Sequence, residues 1–417
     1  MSVLDVFLFI AIVSIWGVLV VNLILTISGY TLYLKQVKQP APELPDVPPF
    51  VSILVPAHDE GIVIVKTVLA LLSFDYPKDR YEIIVINDNS TDDSAQKLAE
   101  LQHDFGQERL KVINTDAKTG GKGKSNALNI GFHQSRGNIL AVYDADNTPE
   151  SSALRILVAQ LLDSPQLAAV IGKFRTRNKN ASLLTRFINI ETLSFQWMAQ
   201  AGRQRLFHLC TIPGTNYVIR RDVLEKVGGW DVKALAEDTE ISFRIYQMHR
   251  RIGFQPKAVT WEQEPQTLGV WFHQRTRWVK GNIYVILKNM HLLFQKKGRP
   301  IRFDLLYFFA IYFLLMASLI LSDSVFILTV AGAVHSNLQG FSNGLWLFAI
   351  VMFVASTFLT ITTEKGEMTL RNLGLIVVMY LVYSQMWLAV AAYGMVAYFR
   401  EQVFHQKVKW YKTKRYQ

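Results

Sequence analysis

Closely spaced carboxylates are the residues of this chain best suited to chemistry. Asp144 and Asp146 stand in the sequence DAD, and Glu237 and Asp238 are adjacent in LAEDTEISF. Two carboxylates at positions i and i+2 can hold one Mg²⁺ or Mn²⁺ while a substrate's phosphate oxygens fill other positions. A carboxylate that opens a helix can act as the general base for an incoming hydroxyl. The two pairs therefore indicate metal-assisted chemistry on a phosphate-bearing substrate.

Each of these acidic groups also has a purely structural interpretation. Acidic turns after strands are common, and acidic residues in the first turn of a helix interact favourably with its dipole. Asp88, in INDNSTDD, could merely cap the helix that begins near Asp92. Its functional interpretation is an acceptor for an imide N–H of a uracil ring. The surrounding elements have to decide between these interpretations.

A glycine-rich basic segment, TGGKGKSNALN, is the next candidate for phosphate binding. It does not match the Walker pattern, because Lys118 occupies the position where that pattern needs glycine. A Gly-rich turn with Lys122 and Lys124 ahead of a helix can still approach a nucleotide diphosphate through backbone amides and positive charge. The structural alternative is a flexible basic loop.

Short β-branched runs alternate with helical patterns through the middle of the chain. The helical stretches cover residues 62–73 and 92–103, and the predicted strands are VSILV (51–55), EIIVI (82–86), KVIN (111–114), NILAVY (138–143) and LAAVIG (167–172). Alternation of this kind predicts an α/β domain with a doubly wound, mainly parallel sheet.

Ligands of such a sheet lie at the carboxyl ends of its strands. VPAHDE, with Pro56 and Glu60, follows the first predicted strand, INDNSTDD the second and VYDADNTPE the fourth. Three acidic strand ends would repel a bare diphosphate. The sequence therefore predicts a divalent cation, Mg²⁺ or Mn²⁺, between the carboxylates and the phosphates.

Long apolar segments flank this α/β region. The chain has 417 residues, of which 50% are hydrophobic and 18% charged, and residues 6–34 contain no Asp, Glu, Lys or Arg. That run exceeds the roughly 20 residues needed to cross a bilayer. Lys35 and Lys38 follow it, which predicts that the chain continues in the cytoplasm. Further uncharged runs fill the last third of the sequence.

The net charge of +11 does not indicate nucleic-acid binding, because much of the excess lies beside apolar segments. Cys210 is the single cysteine, so no intramolecular disulfide is possible and a reducing compartment is expected.

The sequence QRTRW lies between the α/β region and the apolar tail. It begins with Gln274 and ends with Arg277 and Trp278. Asp88, the DAD pair, the adjacent Glu237 and Asp238, and QxxRW follow one another in that order on an α/β pattern. The ordered set resembles the processive family-two inverting glycosyltransferases, such as the cellulose, chitin, hyaluronan and poly-N-acetylglucosamine synthases. The resemblance runs from about Val51 to Asn282.

The resemblance implies a GT-A-type nucleotide-sugar transferase domain inserted between transmembrane helices. The expected organisation is an N-terminal transmembrane helix (1–38), a Pro-rich linker (39–50), a cytoplasmic catalytic domain (51–265), amphipathic interfacial helices with QxxRW (266–300), a C-terminal transmembrane region of about three to four segments (301–400) and a basic cytoplasmic tail (401–417).

The resemblance also implies a role for each motif residue. Asp238 would be the catalytic base, Asp146 and Asp144 would hold the metal, and Trp278 would lie under the acceptor sugar, although it could equally be an interface anchor. The residues expected to bind the nucleotide sugar are Pro56, Glu60, Asp88, Lys122, Asp144, Gln274 and Arg277. The PGTNYVIRR segment and the acidic pair add Gly214, Thr215 and Glu237 to the acceptor side.

One position departs from the family pattern. Ala236 precedes the Glu-Asp pair where many relatives have Thr. Since both carboxylates remain, the chemistry is expected to survive this change, which bears only on the positioning of the base.

The expected donor is a UDP-sugar; UDP-GlcNAc is favoured, and UDP-glucose is the alternative. The other expected partners are a growing polysaccharide acceptor, the lipid bilayer of the cell membrane and an accessory membrane subunit. Nucleic acid is not expected as a partner. The polymer is expected to be exported. One alternative is a non-processive enzyme that moves a single sugar to a polyprenyl phosphate or glycolipid. An alternative of another class is a non-catalytic membrane assembly or transport subunit.

Overall fold

The chain folds into two compact units, seen here in a computed structural model that describes residues 3–335 and 339–404. One unit, called the α/β unit, comprises Val37–Thr192 and His208–Gln274. The other, called the apolar unit, comprises the chain before Val37, Leu193–Phe207 and the described residues from Arg275 onward.

The strands and helices alternate through the α/β unit. Its strands are β1 (Val51–Ala57), β2 (Tyr81–Asn87), β3 (Leu110–Asn114), β4 (Ile139–Val142), β5 (Thr148–Pro149), β6 (Leu167–Thr176), β7 (Tyr217–Arg220) and β8 (Arg251–Glu262). The α-helices of the described residues are α1 (Val3–Val37), α2 (Ile64–Leu72), α3 (Ser94–Phe105), α4 (Lys124–His133), α5 (Ala153–Asp163), α6 (Leu183–Glu191), α7 (Gln200–Phe207), α8 (Arg221–Val227), α9 (Glu237–Gln247), α10 (Leu268–Asn289), α11 (Arg302–Phe309), α12 (Met316–Val330), α13 (Gln339–Thr362), α14 (Leu370–Val378) and α15 (Ser384–Val403).

All eight strands join one sheet in the order β3-β2-β1-β4-β7-β6-β8-β5. The first four are mutually parallel, and we call them the parallel half. In the other four, the mixed half, β7 runs antiparallel to β4 and β6, and β5 runs antiparallel to β8. The predicted mainly parallel sheet is confirmed.

The centre of the parallel half is fully buried, as its continuous apolar strands require. Ile53 and Val55 of β1 and Ile83 and Val85 of β2 have no exposed surface, and they pack in one core with α2 and α5. Burial on both faces fixes the register of the strands, because the core side chains leave no alternative pairing. A rigid sheet edge therefore presents the residues that follow each strand.

Three apolar helices of the described residues are long enough to cross a bilayer. They span Leu4–Val37, Lys296–Val330 and Leu370–Val403, and a shorter apolar helix covers Leu347–Thr362. These helices belong to the apolar unit. The division into about three to four C-terminal membrane segments stays a prediction, and residues 405–417 of the basic tail lie outside the described residues.

The apolar unit includes a segment from the middle of the sequence, Leu193–Phe207. It packs tightly on α1 through two glycines: a Cβ at Gly29 would lie 2.3 Å from the Met198 carbonyl oxygen, and a Cβ at Gly202 would lie 2.1 Å from that of Leu25. The buried Arg203 donates to the buried Asp304 carboxylate over 3.0 Å, joining α7 to α11. The contiguous catalytic domain expected for 51–265 is therefore interrupted by a segment that packs among apolar helices.

Candidate active site

Two acidic residues lie at the carboxyl-terminal edge of the parallel half. β1 lies between β2 and β4, and all three strands run in the same direction. Asp88 comes directly after β2, and Asp144 comes two residues after the end of β4. The parallel pairing therefore places both carboxylates at the edge of the sheet where α/β proteins bind ligands.

The glycine-rich loop closes onto Asp88. Asp88 Oδ1 accepts hydrogen bonds from Thr115 Oγ1 and from the backbone N–H of Gly121, each over 2.9 Å. A Cβ at Gly120 would lie only 2.4 Å from Asp88 Oδ1, so this approach requires glycine at position 120. The alternative that Asp88 caps the next helix is wrong, because α3 begins at Ser94 and Asp93 holds the N-cap position.

The loop after β1 lies beside the loop after β2. His58 Nδ1 is 2.6 Å from the Asp88 carbonyl oxygen, and the Gly61 N–H donates to Asp92 Oδ2 over 2.9 Å. Pro56 is partly buried within β1, and Glu60 is buried in the loop that follows. Pro56 and Glu60, which the sequence assigned to this strand end, are therefore in the same segment as His58 and Gly61, whose hydrogen bonds hold the two loops together.

Lys124, the first residue of α4, joins several elements at the other end of the site. Its ammonium nitrogen is 2.6 Å from Asp144 Oδ1 and 3.4 Å from Glu237 Oε1, and it donates to the Gly214 carbonyl oxygen over 2.9 Å. These partners come from the end of β4, the start of α9 and the loop before β7. Burial alone would lower the pKa of Lys124, but the neighbouring carboxylates together outweigh burial and raise it, so the side chain stays charged.

Asp238 lies in the first turn of α9, next to Glu237. Its Oδ1 accepts a hydrogen bond from the Thr239 N–H over 2.6 Å. Burial, with help from the negative charge of Glu237, raises the pKa of Asp238 to about 7, against the opposing effect of Lys124. A carboxylate that titrates near neutral pH is suited to accepting a proton at that pH.

The loop before β7 is held against both acidic pairs, Asp144 with Asp146 and Glu237 with Asp238. The hydroxyl of buried Thr215 accepts from the Asp144 N–H over 3.1 Å and donates to Asn147 Oδ1 over 2.8 Å. Thr260 of β8 donates to the same Asn147 oxygen over 3.1 Å. The DADN turn is thus hydrogen-bonded to the loop before β7 and to β8, both in the mixed half.

Gly214 occupies the point of this loop nearest to α9. Its φ of +87° suits glycine, and a Cβ there would lie 2.9 Å from Asp238 Oδ2. Ser242 fixes the loop to α9, because its hydroxyl accepts from the Ile212 N–H over 2.9 Å and donates to the Asp238 carbonyl oxygen over 2.7 Å. Helix α9 therefore positions both Asp238 and the loop that faces it.

The acidic residues at the end of β4 suit a divalent cation shared with phosphate oxygens. Asp146 is buried, and burial together with the charges of Glu264, Asp146 and Asp144 raises the pKa of Glu262 well above its usual range. Among the described residues no three His, Cys, Asp or Glu side chains form a complete metal cage. Mg²⁺ typically takes only one or two protein carboxylates beside substrate phosphates, so Asp144 and Asp146 fit this mode of binding.

The QRTRW motif lies in α10 and is divided between the two units. Gln274 belongs to the α/β unit, while Arg277 and Trp278 belong to the apolar unit and are partly buried there. In that unit the buried Arg275 guanidinium lies 3.9 Å from the centroid of the Trp278 ring. The roles expected for Gln274, Arg277 and Trp278 remain predictions.

Sequence reasoning missed several residues of the site. It named Lys122 and Lys124 together but assigned only Lys122, which is exposed, to the nucleotide sugar, whereas Lys124 makes the ion pairs with the acidic residues. It also passed over Asn147, whose position directly after DAD was the available signal. Glu262, which interacts with Asp146 and Glu264, is brought to the site by β8, a strand the sequence did not predict.

Comparisons with known proteins identify the family of this chain. Residues 48–281 match the family described as "Glycosyltransferase like family 2". A "Probable glycosyltransferase YdaM" of Bacillus subtilis is 44% identical over 416 residues, which cover 98% of this chain and 97% of that protein. The chain belongs to glycosyltransferase family 2.

Two further relatives match the chain over a shorter length. A poly-beta-1,6-N-acetyl-D-glucosamine synthase of Staphylococcus epidermidis is 30% identical over 57% of this chain and 56% of its own length. A beta-monoglucosyldiacylglycerol synthase of a Nostoc species is 33% identical over 64% of this chain and 56% of its own length. The family thus includes a polysaccharide synthase and a glycolipid synthase among the relatives of this chain.

A mannosyltransferase of Pyrobaculum calidifontis, solved in complex with GDP-Man and Mn²⁺, has a similar structure. It superposes with a TM-score of 0.64 at 19% identity, covering 97% of this chain and 100% of its own. The likeness confirms the predicted GT-A-like fold.

Proposed function

We propose that this chain is a membrane-embedded, inverting glycosyltransferase that polymerises the sugar of a UDP-sugar, best UDP-GlcNAc. The observation that carries the proposal is the joining of Asp144, Lys124 and Glu237 by contacts of 2.6 and 3.4 Å beside Asp238. Asp144, a strand-end carboxylate that can bind the donor, and Asp238, a carboxylate that can act as the base, thus share one site.

The reaction is a single displacement. An acceptor hydroxyl oxygen attacks the anomeric carbon as the bond from that carbon to the diphosphate breaks, and UDP leaves with the bonding electron pair. Asp238 takes the hydroxyl proton, and its pKa of about 7 makes it an effective base near neutral pH. No enzyme nucleophile takes part, so an α-linked donor gives a β-linked product.

The donor is bound along the edge of the parallel half. Asp88 accepts from the uracil ring, Pro56 and Glu60 line the same strand end, and Lys122 offers positive charge to the diphosphate. Asp144 and Asp146 hold Mg²⁺ or Mn²⁺, which, when bound, neutralises negative charge on the phosphates. Gln274 and Arg277 contact the departing UDP.

The acceptor is bound on the side of Gly214, Thr215 and Glu237, with Trp278 as an apolar plane for its terminal sugar. The candidate membrane spans support a multi-pass protein of the cell membrane with its α/β unit in the cytoplasm. Polymer made at the membrane has to leave it, so we include export in the proposal. Product that stays entirely on the side of donor addition in sealed vesicles would rule export out.

A second candidate is the transfer of one sugar to a lipid acceptor. It is favoured by the 33% identity to a beta-monoglucosyldiacylglycerol synthase. The QRTRW motif and the similarity to a poly-beta-1,6-N-acetyl-D-glucosamine synthase favour polymerisation.

Radiolabel transfer distinguishes the two candidates. Membranes containing the wild-type chain or Asp238→Asn receive UDP-GlcNAc, UDP-glucose or UDP-glucuronate with Mg²⁺ or Mn²⁺, and products are sized after lipid extraction. The proposal predicts a high-molecular-weight product from UDP-GlcNAc that is absent from the variant. Label found only in the lipid phase would support the second candidate, and no label transfer would contradict both.

A further inference from the structure

The ammonium group of Lys124 contacts oxygen atoms from three different parts of the chain. They are Asp144 Oδ1 at 2.6 Å, the Gly214 carbonyl oxygen at 2.9 Å and Glu237 Oε1 at 3.4 Å. An ammonium is a compact charge with three donors, so one side chain can bind two carboxylates and a carbonyl in this way. The side chain is only 18% exposed, which favours a fixed geometry over a mobile surface charge.

The three acceptors belong to parts of the site with different proposed tasks. Asp144 lies on the donor side, while Gly214 and Glu237 lie on the acceptor side. Glu237 is adjacent to Asp238, and Gly214 approaches Asp238 so closely that a Cβ there would lie 2.9 Å from its Oδ2. One cation therefore joins the donor carboxylate to both neighbours of the base.

We infer that Lys124 is a positioning residue that couples the donor site to the catalytic base by holding Glu237 and Gly214, the neighbours of Asp238, in place. This inference rests on the proposed function. Lys124 acts through Asp144, Glu237 and Gly214, and it takes no part in bond making or breaking.

The electrostatic environment of Asp238 supports this role. The charged groups that face it are Glu237 on its own helix, Asp144 at the end of β4 and Lys124 on α4. The buried phenol of Tyr217, on β7, also faces it. Lys124 is the cation of this set and lowers the pKa of Asp238, against burial and two carboxylates that raise it.

The test is a pH profile of UDP release and sugar transfer by full-length protein in lipid nanodiscs. In Lys124→Met the acid limb of the rate should move upward by about 1 to 2 pH units, the range by which a nearby opposite charge lowers a carboxylate pKa. The rate at pH 7 should fall about 5- to 50-fold, with partial recovery at higher pH. A merely structural role would lower the rate without moving the limb.

Lys118→Met is the matched control. Lys118 lies in the glycine-rich loop before α4 and has an exposed side chain. Its backbone N–H donates to Asp116 Oδ1, a bond that the substitution leaves in place. The same loss of charge there should leave the acid limb where it is in wild type. Equal shifts in the two variants would overturn the inference, because the effect would then come from net charge and not from the contacts.

Lys124→Arg is a second variant that keeps the positive charge. The planar guanidinium cannot reproduce the arrangement of a compact ammonium, so the rate should fall while the acid limb stays within about 0.5 unit of wild type. A limb that moves as far as expected for Lys124→Met would refute the charge argument even if the Met variant does not fold. A wild-type protein without transfer would overturn the proposed function itself, and active wild type with an unmoved limb in Lys124→Met would overturn only the role of Lys124.

Discussion

The two halves of the sheet differ in where they carry their functional residues. In the parallel half, Asp88 and Asp144 follow closely on the ends of β2 and β4. In the mixed half, Gly214 and Asp238 lie on the loop before β7 and at the start of α9, and hydrogen bonds through Ser242 join these two elements. The first set follows directly from strand ends, whereas the second set depends on a helix and a loop held together.

This difference suggests a division of labour in which the parallel half binds the donor and the mixed half carries out the transfer. A substitution in the parallel half should then weaken donor binding, and one in the mixed half should lower the rate of the chemical step. The ion pairs of Lys124 reach both halves.

The largest effect is expected for Asp238→Asn. Asparagine keeps the shape of the side chain but cannot accept the acceptor proton, so kcat for sugar transfer should fall about 10²- to 10⁴-fold. Quenched-flow measurement of sugar transfer gives the rate. The control is Asp222→Asn on α8, which removes a carboxylate that pairs with Lys226 of the same helix; comparable losses in both variants would contradict the assignment of the base.

A large effect of another kind is expected for Asp146→Asn in the parallel half. Loss of one carboxylate should weaken metal-dependent donor binding about 100-fold, because each 1.4 kcal/mol of lost charge stabilisation is a factor of about ten. Titration of UDP in the presence of Mn²⁺ measures this affinity. Unchanged affinity with a reduced kcat would break the proposed division between the halves.

A smaller effect is expected for Gly214→Ala. The new Cβ would lie 2.9 Å from Asp238 Oδ2 at a φ of +87°, so kcat should fall about tenfold, the rate equivalent of about 1.4 kcal/mol of strain or displacement. Steady-state kinetics should show a donor KM close to wild type.

The matched control for this glycine is Gly228→Ala. Gly228 also has a positive φ, +78°, but a Cβ there would meet nothing within 4 Å. The backbone strain is thus comparable and Asp238 is not displaced. If Gly228→Ala lowers kcat as much as Gly214→Ala, the effect is general strain and not a shift of the base.

The smallest effect concerns the pH dependence of the wild-type protein. Because the pKa of Asp238 is raised to about 7, kcat/KM should fall about tenfold per pH unit below that value. Since the folded pKa exceeds the unfolded value, the ligand-free fold binds a proton more tightly and loses this contribution to stability as pH rises from about 4 to about 7. Thermal unfolding of wild type and Asp238→Asn across this range should converge at low pH, with the variant the more stable at pH 8; parallel curves would contradict the raised pKa.

The sequence predicted the parallel half of the sheet well. Its strands are uninterrupted apolar runs, and burial on both faces leaves few alternatives for them. In the mixed half, β6 was predicted but β7 and β8 were not. β7 has four residues, and β8 contains Gly253 and Pro256, which interrupt a strand pattern.

The candidate site divides in the same way. Asp88 and Asp144 could be found from the sequence because they follow recognisable strands. Lys124 could not be distinguished from Lys122, since its partners Asp144, Gly214 and Glu237 come from distant parts of the chain and meet only in the fold. Glu262 was missed because β8, the strand that brings it to Asp146, was not predicted.

The most direct test of the division between the halves is the titration of UDP and Mn²⁺ into nanodiscs that contain Asp238→Asn, beside a wild-type sample. The account predicts a Kd within about threefold of wild type, a difference below about 1 kcal/mol, in a protein that no longer transfers sugar. A loss of affinity of about tenfold or more would place Asp238 in the donor site and contradict its assignment as the base.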